Sequence, residues 1–356
     1  MNAEALADRL RARANEIGLG VIGFAALGRA ATADALAAWL ERGHAGAMRW
    51  MDRTAEDRAD PTRRFPWAKS VVVAAVPHLP YTGARAEQEG LLPYVARYAA
   101  GADYHRVILA RLETLQAFLH REAPGATSRA YVDTGPLLER EWAVRAGLGW
   151  FGKSTNLIRP HGPSWVLLGE ILTSVELPVS SQVPDRCGTC TACLDACPTG
   201  AILEPYVVDS RRCISYLTLE LRGRLPAGND DPSTEDWIFG CDICQEVCPW
   251  NRKAAPADDP PFRPASALAA TRLADLVRLD EPSFRERFAG TALLRPGRRE
   301  LLRNAFFAAA HAGDNEALAG AAAARGDPDP VVREAAAEAL RRARHPSLRE
   351  ARGMRV

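Results

Sequence analysis

Cys187-Gly-Thr-Cys190-Thr-Ala-Cys193-Leu-Asp-Ala-Cys197-Pro198 is the stretch from which the rest of this chain must be read. Three thiols separated by two residues each, then a fourth after three more and a closing proline, make the C-x2-C-x2-C-x3-C-P run that holds [4Fe–4S] cubes. A second, stretched run follows, with Cys213 first and then Cys241-Asp-Ile-Cys244-Gln-Glu-Val-Cys248-Pro249. Where two such runs occur, the last cysteine of each ligates the other cube. One cluster is therefore assigned to Cys187, Cys190, Cys193 and Cys248, and the other to Cys197, Cys213, Cys241 and Cys244. All eight cysteines of the chain are used.

Other uses of cysteine fit less well. Zinc sites pair two separated C-x2-4-C units, whereas here three thiols crowd one turn, as in bacterial ferredoxins. A disulfide framework suits a short secreted chain, and this one has 356 residues. Residues Met1 to Gly18 read as an amphipathic helix of mixed charge, not a signal sequence. No apolar run approaches the ~20 residues needed to span a bilayer, and Arg63-Arg64 lacks the apolar core of a twin-arginine signal. A cytoplasmic location without membrane insertion is expected. The second run also contains an insertion, Ile214 to Gly240, placed to face a substrate or cofactor.

The net charge of +1 conceals an asymmetry. From Arg295 to Val356 there are twelve arginines and eight acids, leaving the remainder at −3. A basic end suits a polyanionic partner, although solvated helix faces give similar balances.

Periodicity divides the chain. Up to about residue 180, helical and strand patterns alternate. Leu6–Ile17, Ala33–Arg42 and Asp103–Glu122 read as helices, and Val21–Ala26, Ala68–Pro77, Arg129–Asp133 and Trp165–Val175 as strands. Pro136 is expected to open a further helix reaching Ala146, with Gly135 as its cap. Residues 181–253 form the cysteine-bearing domain, 254–264 a linker, and 265–356 an Ala-rich helical domain. In the last, Leu301–His311, Glu316–Ala324 and Pro330–Arg342 are successive amphipathic helices. The last of them, preceded by Asp327-Pro-Asp-Pro, looks like a HEAT-type unit, although its period near 26 residues is shorter than the usual ~40.

Clusters move electrons singly, so bond chemistry must lie elsewhere. Gly147-Leu-Gly-Trp-Phe-Gly152 follows a helix instead of a strand and reads as a helix end and turn, not a dinucleotide loop. Asp133, at a strand's carboxyl end beside Gly135-Pro136, is placed either to serve as a general acid in a cleft or to make an ordinary Asx-turn. Asp103-Tyr-His105 begins a D-x-H-x-x-G signature for a histidine beneath cobalt. Ile108 stands where the glycine is required, so His105 reads as a plain helix residue.

Taken together, the segments Arg97-Tyr-Ala-Ala-Gly-Ala-Asp-Tyr-His105, Val132-Asp-Thr-Gly-Pro-Leu-Leu-Glu-Arg140, Ala146-Gly-Leu-Gly-Trp-Phe-Gly-Lys153 and Leu168-Gly-Glu-Ile-Leu172 resemble the epoxyqueuosine reductase family. So do Cys197-Pro-Thr-Gly-Ala201, Arg212-Cys-Ile-Ser-Tyr-Leu-Thr218 and Cys248-Pro-Trp-Asn251. The resemblance implies an α+β protein with a cobalamin-binding α/β-type domain over residues 1–180, similar to reductive dehalogenases. A two-[4Fe–4S] ferredoxin-like domain and an all-α, HEAT-like domain touching tRNA would follow. It implies a monomer that draws electrons from a flavodoxin or ferredoxin and deoxygenates epoxyqueuosine in the anticodon loop of tRNA. Carried over by position, Asp133 is the proton donor and a cobalamin contact. Arg53, Leu157, Leu168, Ile171, Ser215 and Asp242 are further cobalamin contacts, with the corrin base-off and no protein histidine on cobalt. Arg222 falls where the family contacts tRNA. Competing readings are a small-molecule reductive dehalogenase, a non-catalytic electron-relay subunit, and an RNA-binding protein with a structural cluster.

Overall fold

The computed structural model describes residues 2–160, 162–226, 234 and 236–344. The chain forms two compact units, each assembled from separated segments.

The first unit comprises Met1–Leu79, Asp103–Asp209 and Ile243–Phe262. It runs through helix α1 (Ala3–Glu16), strand β1 (Val21–Ala26), helix α2 (Ala33–Glu41) and strand β2 (Ser70–Pro77). Helix α3 (Tyr104–Glu122), strand β3 (Ser128–Tyr131) and helix α4 (Glu139–Arg145) follow. Next come the short strands β4 (Trp150–Phe151) and β5 (Leu157–Ile158), then β6 (Val166–Thr173). Four strands pair antiparallel in the order β1-β2-β6-β3. β2 is central because its β-branched, uninterrupted apolar run tolerates burial on both faces. The pleat sends alternate residues to opposite sides. Val72, Ala74 and Ile171 pack with Leu6 and Leu10 of α1 and Ile108 and Leu112 of α3. Val71, Val73 and Leu172 pack with Trp142 and Ala143 of α4.

The sequence expectation for α4 needs correcting. Its first residue is Glu139 and its N-cap is Leu138, not Gly135. Residues from Val132 to Leu137 instead form an irregular loop, held where a helix would have begun by Arg58. That buried guanidinium donates to the carbonyls of Leu137 (2.5 Å) and Gly135 (3.0 Å). Gly135 lies so close to Tyr131 that a Cβ there would stand 2.7 Å from the ring. The glycine run after α4 makes the expected helix end and hairpin, with Gly147 at φ +74° and β4 paired to β5. The stretch 254–264 is docked against the first unit up to Phe262, which is buried, and Arg111 donates to both oxygens of Asp259 (2.6 and 2.8 Å).

The second unit comprises Pro80–Ala102, Ser210–Asp242 and Arg263–Val356. Its named helices are α5 (Ile214–Leu219), α6 (Arg298–Ala312), α7 (Asn315–Ala323) and α8 (Pro330–Arg344). α6 is buried along most of its length, with Leu301, Leu302, Ala305 and Phe306 packed against Phe284 and Phe288. It ends at Gly313 in the left-handed conformation that terminates helices without a Cβ penalty. No helix among the described residues is long and apolar enough to cross a membrane.

Candidate functional site

The two cysteine runs fold back on themselves through short helices, Ala192–Asp195 and Ile243–Glu246. Within the first unit, Cys187, Cys190, Cys193, Cys244 and Cys248 line a cavity of about 230 Å³ whose apolar walls include Ile158 and Trp250. Burial raises the Cys193 and Cys248 thiols, and the neighbouring Cys187 and Cys190 sulfurs raise both further. A cationic centre would hold Cys193 and Cys248 as the thiolates that cluster ligation requires. Among the described residues, no three His, Cys, Asp or Glu side chains are placed to hold a single metal ion. A ring around a cavity is instead what a cube needs, since each of its four irons takes one cysteine.

Polar groups secure this ring. Lys153 Nζ donates to the carbonyls of Gly188 (2.7 Å) and Cys190 (2.9 Å), fixing the first ligand loop beside a positive charge. Asn156 donates to Cys244 Sγ (3.5 Å) and the Ala201 amide to Cys197 Sγ (3.3 Å). Cys213, the N-cap of α5, and Cys241 belong to the second unit.

The other chemical cluster surrounds Asp133. This residue has φ +60°, and the Thr134 amide donates to the Val132 carbonyl at 2.6 Å. The result is a three-residue turn of the rarer, strained hand. The turn lifts the Asp133 side chain into solvent, 57% exposed, while Oδ2 stays 3.1 Å from His105 Nε2. His105 Nδ1 lies 2.7 Å from Asp103 Oδ1, the carboxylate that also caps α3. Asp103, His105 and Asp133 thus form a continuous chain of polar contacts from a helix cap to an exposed carboxyl.

A pair of carboxyls lies behind the turn. Glu139 Oε1 accepts the Asp133 amide at 2.5 Å. Glu170, on the α4 face of β6, is fully buried, and its carboxyl meets that of Glu139 in a side-chain hydrogen bond. Burial and the facing Glu139 carboxyl drive Glu170 well above the usual carboxylate range, and burial pushes Glu139 up to about 7. Arg58, besides holding Gly135 and Leu137, donates from Nε to Thr54 Oγ1 (2.9 Å) and stacks on Trp50.

The remaining sequence-predicted residues fall in varied settings. Arg53 is exposed at the end of the short helix Arg49–Arg53. Leu157 and Leu168 lie together on the α4 side of the first unit, the side that also carries Glu170. Ile171 departs from expectation: its side chain points to the opposite sheet face, into the core with Val72 and Ile108. It cannot line one ligand together with the Leu168 side chain. Ser215 is half-buried on α5. Asp242 is buried and its Oδ2 accepts the Arg97 amide at 2.7 Å, so its carboxylate already has a structural partner. Arg222 is half-exposed and donates to the Pro296 carbonyl at 2.6 Å. His105 is helical as expected, yet its place beside Asp133 was not foreseen. Arg58, Glu139 and Glu170 were missed as well, although the last two stand inside segments that carry the family resemblance.

Comparison with known proteins fits this geometry. A profile described as "4Fe-4S double cluster binding domain" matches residues 186–251, which span all eight cysteines. A second, "Epoxyqueuosine reductase QueG, DUF1730", matches residues 58–134, the segment from Arg58 through His105 and Asp133. An epoxyqueuosine reductase of Aliivibrio fischeri is 38% identical over 89% of this chain and 86% of its own. The chain belongs to the epoxyqueuosine reductase family. Among solved epoxyqueuosine reductases, one in complex with an epoxyqueuosine-modified tyrosine-tRNA stem loop is similar with a TM-score of 0.88 and 31% identity, covering 98% of this chain and 93% of its own. Another, from Bacillus subtilis, has its catalytic aspartate loop swung out of the active site. It matches with a TM-score of 0.85 and 30% identity, over 98% and 93% of the two chains.

Proposed function

We infer that this chain reduces epoxyqueuosine to queuosine in tRNA. The observation that carries the reading, within a chain of this family, is the Asp133 carboxyl held at a solvent-facing turn with His105 directly behind it. Removing the epoxide oxygen as water takes two electrons and two protons, and breaks both C–O bonds as a C=C bond forms. Asp133 is the proposed source of the proton for the departing oxygen. With Nδ1–H directed at Asp103, His105 Nε2 and Asp133 Oδ2 share one further proton. Either Asp133 carries it and donates to Nε2, or Nε2 carries it and donates to Asp133. In both states a proton is stored beside the exposed carboxyl, and general-acid assistance of this kind contributes ~10²–10⁴-fold. The catalytic loop seen swung out in the Bacillus subtilis relative supports a mobile loop as the carrier of this residue.

The proposed cluster ligands are Cys187, Cys190, Cys193 and Cys248 for one cube and Cys197, Cys213, Cys241 and Cys244 for the other. Cobalamin is the proposed second centre. Both His105 ring nitrogens are engaged by carboxylates, which suits a corrin with no protein histidine on cobalt. By positional likeness to the family, Arg53, Asp133, Leu157, Leu168, Ser215 and Asp242 are the residues proposed to hold it; the Ile171 side chain, on the opposite sheet face, is not. When bound, the clusters relay single electrons and the cobalt supplies the strongly reducing centre for C–O cleavage. Cys190 is exposed, which favours that cluster as the entry point from a flavodoxin- or ferredoxin-type donor. A cytoplasmic monomer, with a HEAT-like helical region and Arg222 toward tRNA, completes the proposal. The target base lies in a single-stranded loop, where nucleotides can be splayed into a pocket.

The test is nucleoside analysis of epoxyqueuosine-containing tRNA after incubation with anaerobically reconstituted, cobalamin-loaded protein. Asp133→Asn is expected to lower turnover by ~10²-fold or more while the absorbance bands of clusters and corrin persist. Full turnover by this variant would remove Asp133 as proton donor, and no queuosine from the parent protein would remove the reading altogether.

A further inference from the structure

We propose that Glu139 is a positioning residue: its carboxyl grips the Asp133 amide and so holds the strained turn in the conformation that presents the Asp133 carboxyl. This inference rests on the reading of Asp133 as proton donor.

Three observations carry it. Asp133 occupies the left-handed region at the centre of a three-residue turn, a conformation that persists only where surrounding contacts over-determine it. The contact at its amide is the 2.5 Å hydrogen bond to Glu139 Oε1, made by the first residue of α4, so a helix end fixes the acceptor. The far side of the same loop is fixed separately, by Arg58 at the carbonyls of Gly135 and Leu137. Glu139 thus ties the backbone of the reacting residue to the first turn of α4, while His105 meets its side chain.

Glu170 explains why a carboxyl serves here. Buried, it meets the Glu139 carboxyl on the α4 side of the sheet, with no other hydrogen-bond partner among the described residues. Two carboxyls so placed cannot both ionise, and one shared proton leaves Glu139 able to accept from the Asp133 amide while bonded to Glu170. Asp133, Glu170, Arg140 and Arg58 are the charged groups near Glu139, and the two arginines temper the local negative charge. Glutamine at 139 reproduces the protonated acid in shape and keeps the carbonyl acceptor. Alanine removes the acceptor, and aspartate withdraws it from the amide by one methylene.

The experiment uses the full chain loaded with clusters and cobalamin, assayed on epoxyqueuosine-containing tRNA. Hydrogen–deuterium exchange is read in parallel on the peptide that contains the Asp133 amide. Glu139→Ala and Glu139→Asp are expected to lower kcat by about 10²-fold, with KM for tRNA little changed and faster exchange at that peptide. Glu139→Gln is expected to retain parental exchange and turnover within a few-fold. Parental kcat in the alanine or aspartate variant, unchanged exchange in both, or a glutamine variant as impaired as the others would overturn the proposal. Should the alanine protein fail to fold, the aspartate and glutamine variants decide the matter between them. Asp133→Asn is measured alongside. If it stays active, the proton-donor reading fails and takes this inference with it, whereas an inactive Asp133→Asn beside a fully active Glu139→Ala refutes the positioning role alone.

Discussion

Left-handed backbone costs a non-glycine residue about 1–2 kcal/mol, and Asp133 bears that cost where three carboxyls converge: its own, Glu139 and Glu170. Such crowding must also appear as a pH dependence of stability. An ordinary glutamate releases its proton near 4.5, while folded Glu139 holds one up to about 7 and Glu170 holds one well above the usual range. Between those values the folded chain binds more protons than the unfolded one, so stability falls as pH rises through that window. Urea unfolding of the reconstituted protein should therefore show a higher midpoint at about pH 5.5 than at about pH 8. Glu170→Gln supplies an amide that donates to Glu139 without titrating, and should raise the midpoint at the alkaline value while leaving the acidic one nearly unchanged. An equal shift at both values would show that the pair does not share a proton in the folded state.

Elements with one strong period were legible from the residues alone. β1 and β2 fell where apolar runs placed them, and α3 where apolar residues recur at helical spacing. The start of α4 was not legible, because Pro136 is a good helix opener by itself and only the distant Arg58 draws the preceding carbonyls away. The side-chain directions of Leu168 and Ile171 illustrate the same limit. Three residues apart on a strand, they must face opposite ways, yet positional likeness to relatives treats them alike. Helix α6 gives the clearest case of a role hidden from sequence, since its arginines read as candidates for RNA. Arg303 is instead fully buried, and donates to the carbonyls of Leu217 (2.7 Å), Leu221 (2.9 Å) and Gly223 (2.6 Å). It caps the last turn of α5, the helix that Cys213 begins. Each buried acceptor left without a donor costs about 1–3 kcal/mol. Arg303→Ala should accordingly lose roughly 3 kcal/mol or more in urea unfolding. Arg303→Lys should recover little of it, because a single ammonium cannot reach three diverging carbonyls. A lysine variant as stable as the parent would mean that charge, and not the fork of donors, is what α5 requires.

Across the whole chain, the excess of basic residues after Arg295 is less available to a polyanion than the count suggests. Arg303 is buried, Arg298 pairs with Asp327 at 2.6 Å, Arg299 with Glu300 at 2.6 Å, and Arg342 with Glu338 at 2.7 Å. Arg333 donates to the carbonyls of Asp327 and Pro328. Arg349, Arg352 and Arg355 lie outside the described residues. Arg295, Arg325 and Arg344 are exposed, and Arg222 is half-exposed with one nitrogen on the Pro296 carbonyl. A phosphate contact contributes a logarithmic salt slope close to one unit, whereas an internal ion pair contributes none. Replacing Arg222 by alanine should thus weaken tRNA binding and reduce the slope of log K against log salt by about 1, beside any loss of midpoint from its hydrogen bond to the Pro296 carbonyl. Arg298→Ala should do the reverse, lowering the midpoint while leaving affinity and slope in the folded protein as they were. The two variants are read by filter binding across a salt series and by urea unfolding. An Arg222→Ala protein with parental affinity at every salt would return that side chain to a purely structural role at Pro296. A lowered slope for Arg298→Ala would show that its pairing with Asp327 yields to phosphate when tRNA arrives.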